Sequence, residues 1–187
     1  MTEQGIRQSF DMTRVMFSRG NITEKIRFGK LVQKGDIVLD LYGGIGYFTL
    51  PALVHGQAEY VYACEWNPEA VKALRFNLSD NDLEERATVL EGDCRVQIRN
   101  NHLMNMFDRV SLGLLPSSEG GWWTAVQALR RSTGGWLVSG CTVQFLECFL
   151  YWVSVSLSSI CGSTFMETYP QKKSKHGLHG CVGDSSK

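Results

Sequence analysis

Apolar residues fall along this chain in short runs separated by stretches where they recur every three or four positions. Four runs predict strands, Ile37 to Asp40, Glu59 to Glu65, Ala87 to Asp93 and Phe107 to Leu114, the first with the β-branched and aliphatic character of a strand buried on both faces. After the second run, Ala70, Val71, Leu74 and Leu78 form one stripe of a helix, with Asn67 as its cap, Pro68 in its first turn, and Asn81 and Asp82 as its break. Further helices are expected from Ile22 to Leu31, capped by Asn21 or Thr23, from about Pro51 to Val54, and from Trp122 to Arg131, stopped at Gly134 and Gly135. The alternation of strand and helix predicts an α/β fold with a doubly wound, mostly parallel sheet.

Chemistry concentrates at the ends of the expected strands. The first three each finish in a carboxylate, Asp40, Glu65 and Asp93, and open α/β sheets bind ligands at the carboxyl ends of their strands. After Asp40 come Gly43, Gly44 and Gly46, which let the backbone turn tightly and approach a ligand closely. The dinucleotide pattern G-x-G-x-x-G needs a third glycine, and Thr49 stands there. The spacing fits the D-x-x-G-G-x-G turn of S-adenosylmethionine-binding folds better, with a dinucleotide or a purely structural turn as alternatives. Glu65, 25 positions after Asp40, sits where a carboxylate can accept both ribose hydroxyls.

Composition adds bounds. A chain of 187 residues with 43% apolar content builds one domain, with or without an appendage. Its formal charge is zero, yet before residue 36 seven basic residues stand against three acidic ones, a segment suited to phosphates or to a solvated face. The six cysteines form no C-x-x-C pair and no amino-terminal apolar stretch resembles a signal peptide, so reduced thiols and a cytoplasmic location are expected. His176, His179 and Cys181 lie in a Lys, Gly and Ser-rich tail without a fourth ligand, so no metal site is expected. The nearly uncharged stretch from Trp136 to Met166 reads as a fifth strand plus apolar packing, ahead of a poorly structured tail or a membrane span over Phe145 to Ile160.

Three stretches together carry a family resemblance: Met16-Phe-Ser-Arg-Gly-Asn-Ile-Thr-Glu-Lys25, Asp40-Leu-Tyr-Gly-Gly-Ile-Gly-Tyr-Phe-Thr-Leu-Pro51 and Cys64-Glu-Trp-Asn-Pro68. From about Phe10 to Gly135 the chain resembles the eukaryotic wybutosine-synthesising tRNA aminocarboxypropyltransferases, relatives of the tRNA guanosine methyltransferases. Leu112 to Glu119 strengthens the likeness, standing where those methyltransferases carry an Asn-Pro-Pro type motif. The resemblance implies a Rossmann-like fold of the S-adenosylmethionine-dependent methyltransferase type. It implies transfer of the 3-amino-3-carboxypropyl group of S-adenosylmethionine to a tricyclic guanosine in tRNA(Phe), with methylthioadenosine leaving.

Carried over by motif, Ser18 and Lys25 meet the methionyl end, Lys25 as a cation for its carboxylate. Glu65 takes the ribose hydroxyls, Asp93 and Cys94 the adenine edge, and Gly43, Gly44 and Gly46 the floor. No residue is assigned as general base. The expected organisation is a basic segment over residues 1–35, a cofactor-binding core over 36–135, and a divergent apolar segment with a polar, disordered tail over 136–187. The likeness ends after Gly135, so the sequence reads as a truncated or alternatively spliced form whose sheet lacks its last strands and has an exposed edge. A tRNA methyltransferase and a non-catalytic fragment are the competing readings.

Overall fold

The structure, a computed structural model, describes residues 1–16, 22–114, 117–132, 135–139 and 151–154. Ser18, the Asn21 cap, the Gly134 stop and the histidine-containing tail lie outside the described residues. A two-stranded hairpin comes first, β1 (Thr2–Glu3) antiparallel to β2 (Ile6–Arg7), its tight turn made by Gln4 and Gly5 at φ +52° and +79°. The elements then alternate: α1 (Ile22–Leu31), β3 (Ile37–Asp40), α2 (Thr49–Val54), β4 (Tyr60–Glu65), α3 (Pro68–Asp80), β5 (Ala87–Glu91), α4 (Cys94–Asn100), β6 (Arg109–Leu112), α5 (Glu119–Ala128) and β7 (Trp136–Ser139). A last described strand, β8, spans Tyr151–Ser154.

Six strands make one sheet in the order β5-β4-β3-β6-β7-β8, all parallel except for the antiparallel β7–β8 pair. Strand order reverses between β3 and β6, which opens a crevice beyond the carboxyl end of β3. The outer edge of β7, which the sequence leaves bare, is paired with β8. That strand forms within a stretch whose apolar residues show no clear period, so periodicity could not mark it.

Consecutive strand residues face opposite layers, as a doubly covered sheet requires. Val38, Val61 and Ala63 pack with Phe28 of α1, Leu50 and Leu53 of α2 and Leu74 and Leu78 of α3. Leu39, Cys64, Val110 and Leu112 pack on the other side with Ile98 of α4 and Ala125 and Ala128 of α5. Each such fully buried aliphatic side chain contributes about 1.5–3 kcal/mol relative to exposure. Opposite the crevice, Asp108 accepts a hydrogen bond from Ile37 N at 2.9 Å, and Arg109, nearly buried, pairs with Asp36.

Three local expectations change. The helix read as Trp122 to Arg131 runs from Glu119 to Ala128: Ser117 Oγ accepts from Glu119 N, and Leu129 turns extended to bridge Phe107 in parallel. The strand reaching toward Asp93 ends at Glu91, because Gly92, at φ +130°, turns the chain and Asp93 caps α4. Helix α4 itself was unmarked, since only Cys94 and Ile98 of its seven residues are buried and leave too short an apolar stripe. Among the described residues no helix is long and apolar enough to cross a membrane.

Asn67 caps α3 by accepting a hydrogen bond from Glu69 N at 3.0 Å, with Pro68 at the first helical position. Replacing such a cap costs about 1 kcal/mol. Asn67→Ala is therefore expected to lower the urea midpoint by the equivalent of about 1 kcal/mol with an unchanged slope; an unaltered midpoint would mean the cap adds nothing.

Candidate functional site

Leaving β3, the chain folds back over the sheet edge. Leu41 N donates to Ser111 O at 3.1 Å, Gly43 N to Cys64 O at 2.8 Å and Gly46 N to Gly43 O at 2.8 Å. Gly44 and Gly46 take φ of +55° and +107°, a region that side chains disfavour. A Cβ on Gly46 would also lie 2.8 Å from Leu50, and one on Gly43 3.3 Å from both Ala63 and Leu74. The turn therefore lies directly on β4 and α3, with no room for side chains beneath it.

Asp40 is enclosed behind this turn, fully buried. Its Oδ2 accepts from Thr49 Oγ1 at 2.8 Å and its Oδ1 from Tyr42 N at 3.4 Å. This explains the threonine in place of a third glycine: the hydroxyl satisfies a carboxylate that water cannot reach. Burial raises the Asp40 pKa from 3.8 to about 6, and the nearby negative charge of Glu65 pushes the same way, against the hydrogen bonds from Thr49 and Tyr42.

Glu65 ends β4 and is held by two backbone amides. Gly44 N donates to Oε2 and Asn67 N to Oε1, both at 2.8 Å. An ionised carboxylate offers about four acceptor directions, so two remain for a ligand's hydroxyls. In the sheet register Asp40 pairs with Ala63, so Glu65 stands two residues, roughly 7 Å, further out along the strand direction.

At the next strand end Asp93 caps α4, accepting from Arg95 N at 2.8 Å and from Arg95 Nε at 2.9 Å. Those hydrogen bonds hold its carboxyl below the usual range. Cys94 is buried beside Tyr42, and burial raises both groups, the tyrosine to about 12, so both stay protonated at neutral pH. Tyr42 thereby links the turn after β3 to the start of α4.

Lys25 lies on the other side of the turn. It is buried on α1, its Nζ 2.6 Å from Glu3 Oε2 of the hairpin and 5.0 Å from the centre of the Tyr47 ring. Gln8, Pro51 and His55 line a small cavity with Glu3 and Lys25. The structure thus gathers Asp40, Gly43, Gly44, Gly46 and Glu65 into one unit, sets Asp93 and Cys94 beside it through Tyr42, and places Lys25 behind Tyr47. Much of the basic excess near the amino terminus is paired: Arg7 with Asp80, Arg14 with Asp11 and Glu69, and Lys25 with Glu3.

The sequence reading missed Thr49, Tyr42 and Asn77. Thr49 had a signal, since a hydroxyl nine residues after a strand-end carboxylate can reach back to it, and so had Asn77, a polar residue three after Leu74 and seven after Ala70 on the apolar stripe; Tyr42 had none, because its role needs the fold.

A parallel sheet with this strand order, a glycine turn at its switch point and a carboxylate ending the next strand define the Rossmann-like class of cofactor-binding folds. Within it, the chain belongs to the TRM5/TYW2 methyltransferase domain family, which matches residues 1–133. It is 55% identical over 130 residues to a tRNA wybutosine-synthesizing protein 2 homolog of Danio rerio, an alignment covering 70% of this chain and 31% of that protein. The chain thus spans about a third of the length of that curated relative. Among solved structures it resembles M. jannaschii TYW2 in complex with AdoMet, at TM-score 0.66 and 28% identity over 73% of this chain and 59% of the other. It also resembles aTrm5 in its complex with tRNALeu, at TM-score 0.62 and 26% identity over 74% of this chain and 39% of the other.

The buried carboxylate sets a pH dependence. Because folded Asp40 holds its proton up to about pH 6, against 3.8 for the free group, its contribution is fullest below about pH 4 and is lost as pH rises to about 6. Relative to Asp40→Asn, the wild type should therefore lose melting temperature between pH 4 and pH 6 and hold a constant offset above pH 7. A constant offset across the whole range would show that Asp40 ionises in the fold as it does in the unfolded chain.

Proposed function

We propose that this chain binds S-adenosylmethionine across the carboxyl edge of β3, β4 and β5 and directs its 3-amino-3-carboxypropyl group to a tricyclic guanosine of tRNA(Phe). The observation that carries the reading is the Glu65 carboxylate, pinned by Gly44 N and Asn67 N beside a turn whose glycines let the backbone lie flat on β4 and α3. That donor set fits the group. Glu65 would accept from the ribose hydroxyls, Gly43, Gly44 and Gly46 would form the floor, and Asp93 and Cys94 would meet the adenine edge. Ser18 and Lys25 would face the methionyl end, with Lys25 exchanging the carboxylate of Glu3 for that of the ligand.

When bound, the sulfonium supplies a pre-activated carbon, so no strong protein nucleophile is required. What the chain contributes is orientation, because a sulfonium carries three electrophilic carbons and the product depends on which one faces the acceptor. Asp40 and Thr49 serve this by fixing the turn from behind, out of reach of solvent. In this reading residues 36–135 are the cofactor-holding core, residues 1–35 are the basic segment leading into it, residues 136–187 form the divergent end, and the protein works in the cytoplasm, where tRNA is found.

Two measurements test the proposal. Calorimetry should show saturable S-adenosylmethionine binding that Glu65→Ala weakens at least about tenfold, since a hydrogen bond to a charged group is worth about 1.5–3 kcal/mol. With tRNA(Phe) carrying the tricyclic base, label in the carboxypropyl carbons of S-adenosylmethionine should reach the tRNA and label in the methyl carbon should not. Methyl label on the tRNA would identify a methyltransferase. A folded, monodisperse chain without affinity would identify a fragment that keeps only the ancestry.

A further inference from the structure

The glycine turn is held from outside the sheet as well as from beneath. Asn77, fully buried on α3, donates through Nδ2 to Ile45 O at 2.9 Å and accepts through Oδ1 from Ser9 N at 2.7 Å. One amide thus joins the residue between Gly44 and Gly46 to a segment 36 positions earlier in the chain. Apolar packing follows the same line: Val15, Ile45 and Ala70 form a small cluster with Phe10 and Tyr47 against it, and Tyr47 Oη donates to Met16 O at 2.6 Å. Just past the end of α3, Asn81 holds Arg7, ahead of that segment, without touching the glycine turn: it accepts from Arg7 N at 2.9 Å and donates to Arg7 O and to Asn77 O, both at 2.7 Å.

We propose that Asn77 is a positioning residue through which the seating of residues 9–16 on α3 and the geometry of the glycine turn are coupled, so that each stabilises the other. A buried amide with one donor committed to Ile45 O and its acceptor committed to Ser9 N keeps both bonds only while turn and segment are both in place. While the segment covers α3, loss of the turn contact leaves the Nδ2 donor buried and unsatisfied, and loss of the segment opens the Asn77 amide to water that competes for it. Coupling of this kind is reciprocal: a ligand that tightens the turn also protects the segment. The ligand arm of the test rests on the S-adenosylmethionine reading; the ligand-free arm does not.

Asn77→Asp keeps the acceptor for Ser9 N and removes the donor to Ile45 O. Asn81→Ala releases Arg7 and the backbone carbonyl of Asn77 and leaves both side-chain bonds of Asn77 intact. By hydrogen exchange on the ligand-free chain, Asn77→Asp should speed the amides of Gly43, Gly44 and Gly46 at least about tenfold relative to that of Asp108, which donates to Ile37 O at the opposite end of the sheet. Asn81→Ala should leave the turn amides within about twofold of wild type. By calorimetry, S-adenosylmethionine affinity should fall about tenfold or more in Asn77→Asp and stay within about twofold in Asn81→Ala. In the unmodified chain, saturating ligand should slow exchange of the Ser9 amide, a readout that needs no variant and so survives a failure of Asn77→Asp to fold.

Equal acceleration of the turn and Asp108 amides would reduce Asn77 to a general stabiliser and overturn the proposal, as would equal losses of affinity in the two variants. A wild-type chain with no affinity for S-adenosylmethionine would refute the ligand assignment, while the exchange rates of the turn would still decide the role of Asn77.

Discussion

Everything at the ligand edge hangs on one carboxylate accepting two backbone amides. Glu65 joins Gly44, in the turn after β3, to Asn67, the cap of the helix after β4. Neither amide has an intrahelical or sheet partner of its own, so without Glu65 both would need water. With it, the ends of two adjacent strands become one surface, and the direction of α3 is set by the same group that closes the turn. A hydrogen bond to a charged acceptor is worth about twice a neutral one, which makes this a stiff joint at a place where loops are ordinarily soft.

Behind that joint sits a second carboxylate. Asp40 is deeper, shielded from solvent and served by Thr49 and Tyr42 N, while Glu65 contributes a like charge that disfavours its ionisation. The two groups divide the work by environment. Full burial raises the Asp40 pKa to about 6, and its carboxyl anchors the start of α2 through Thr49. Glu65, fixed by donors on both oxygens, retains acceptor directions for hydroxyls. A single strand-end carboxylate could not both fill the space behind the turn and present oxygens beyond it.

Most of the architecture was legible in the sequence because it rests on local rules. The strand at Ile37 to Asp40 and the helix from Ile22 to Leu31 begin and end where expected, and Asn67 and Pro68 open α3 as cap and first-turn residues should. The family resemblance, carried by the turn and by Cys64 to Pro68, agrees with the family to which the chain belongs. What escaped were features whose cause is distant in sequence. The hairpin of β1 and β2 has only two residues per strand and no alternation to detect. Asn77 falls three residues after Leu74 and seven after Ala70, on the edge of the apolar stripe of α3, and its partner Ser9 lies 68 positions away in the amino-terminal segment that covers it.

The same segment changes how the basic residues near the amino terminus are understood. Read linearly, they form a cationic stretch suited to a polyanion. In the fold, Arg7 and Arg14 meet carboxylates of α3, and Lys25 is enclosed with Glu3, so part of that charge tethers the segment to the sheet. The pairs of Arg7 and Arg14 are exposed and contribute little individually. Lys25 with Glu3 is different, because both side chains are largely buried and an isolated charge of either sign would be costly there. A ligand carboxylate can take the place of Glu3 only by offering Lys25 an equivalent negative charge in the same enclosed space.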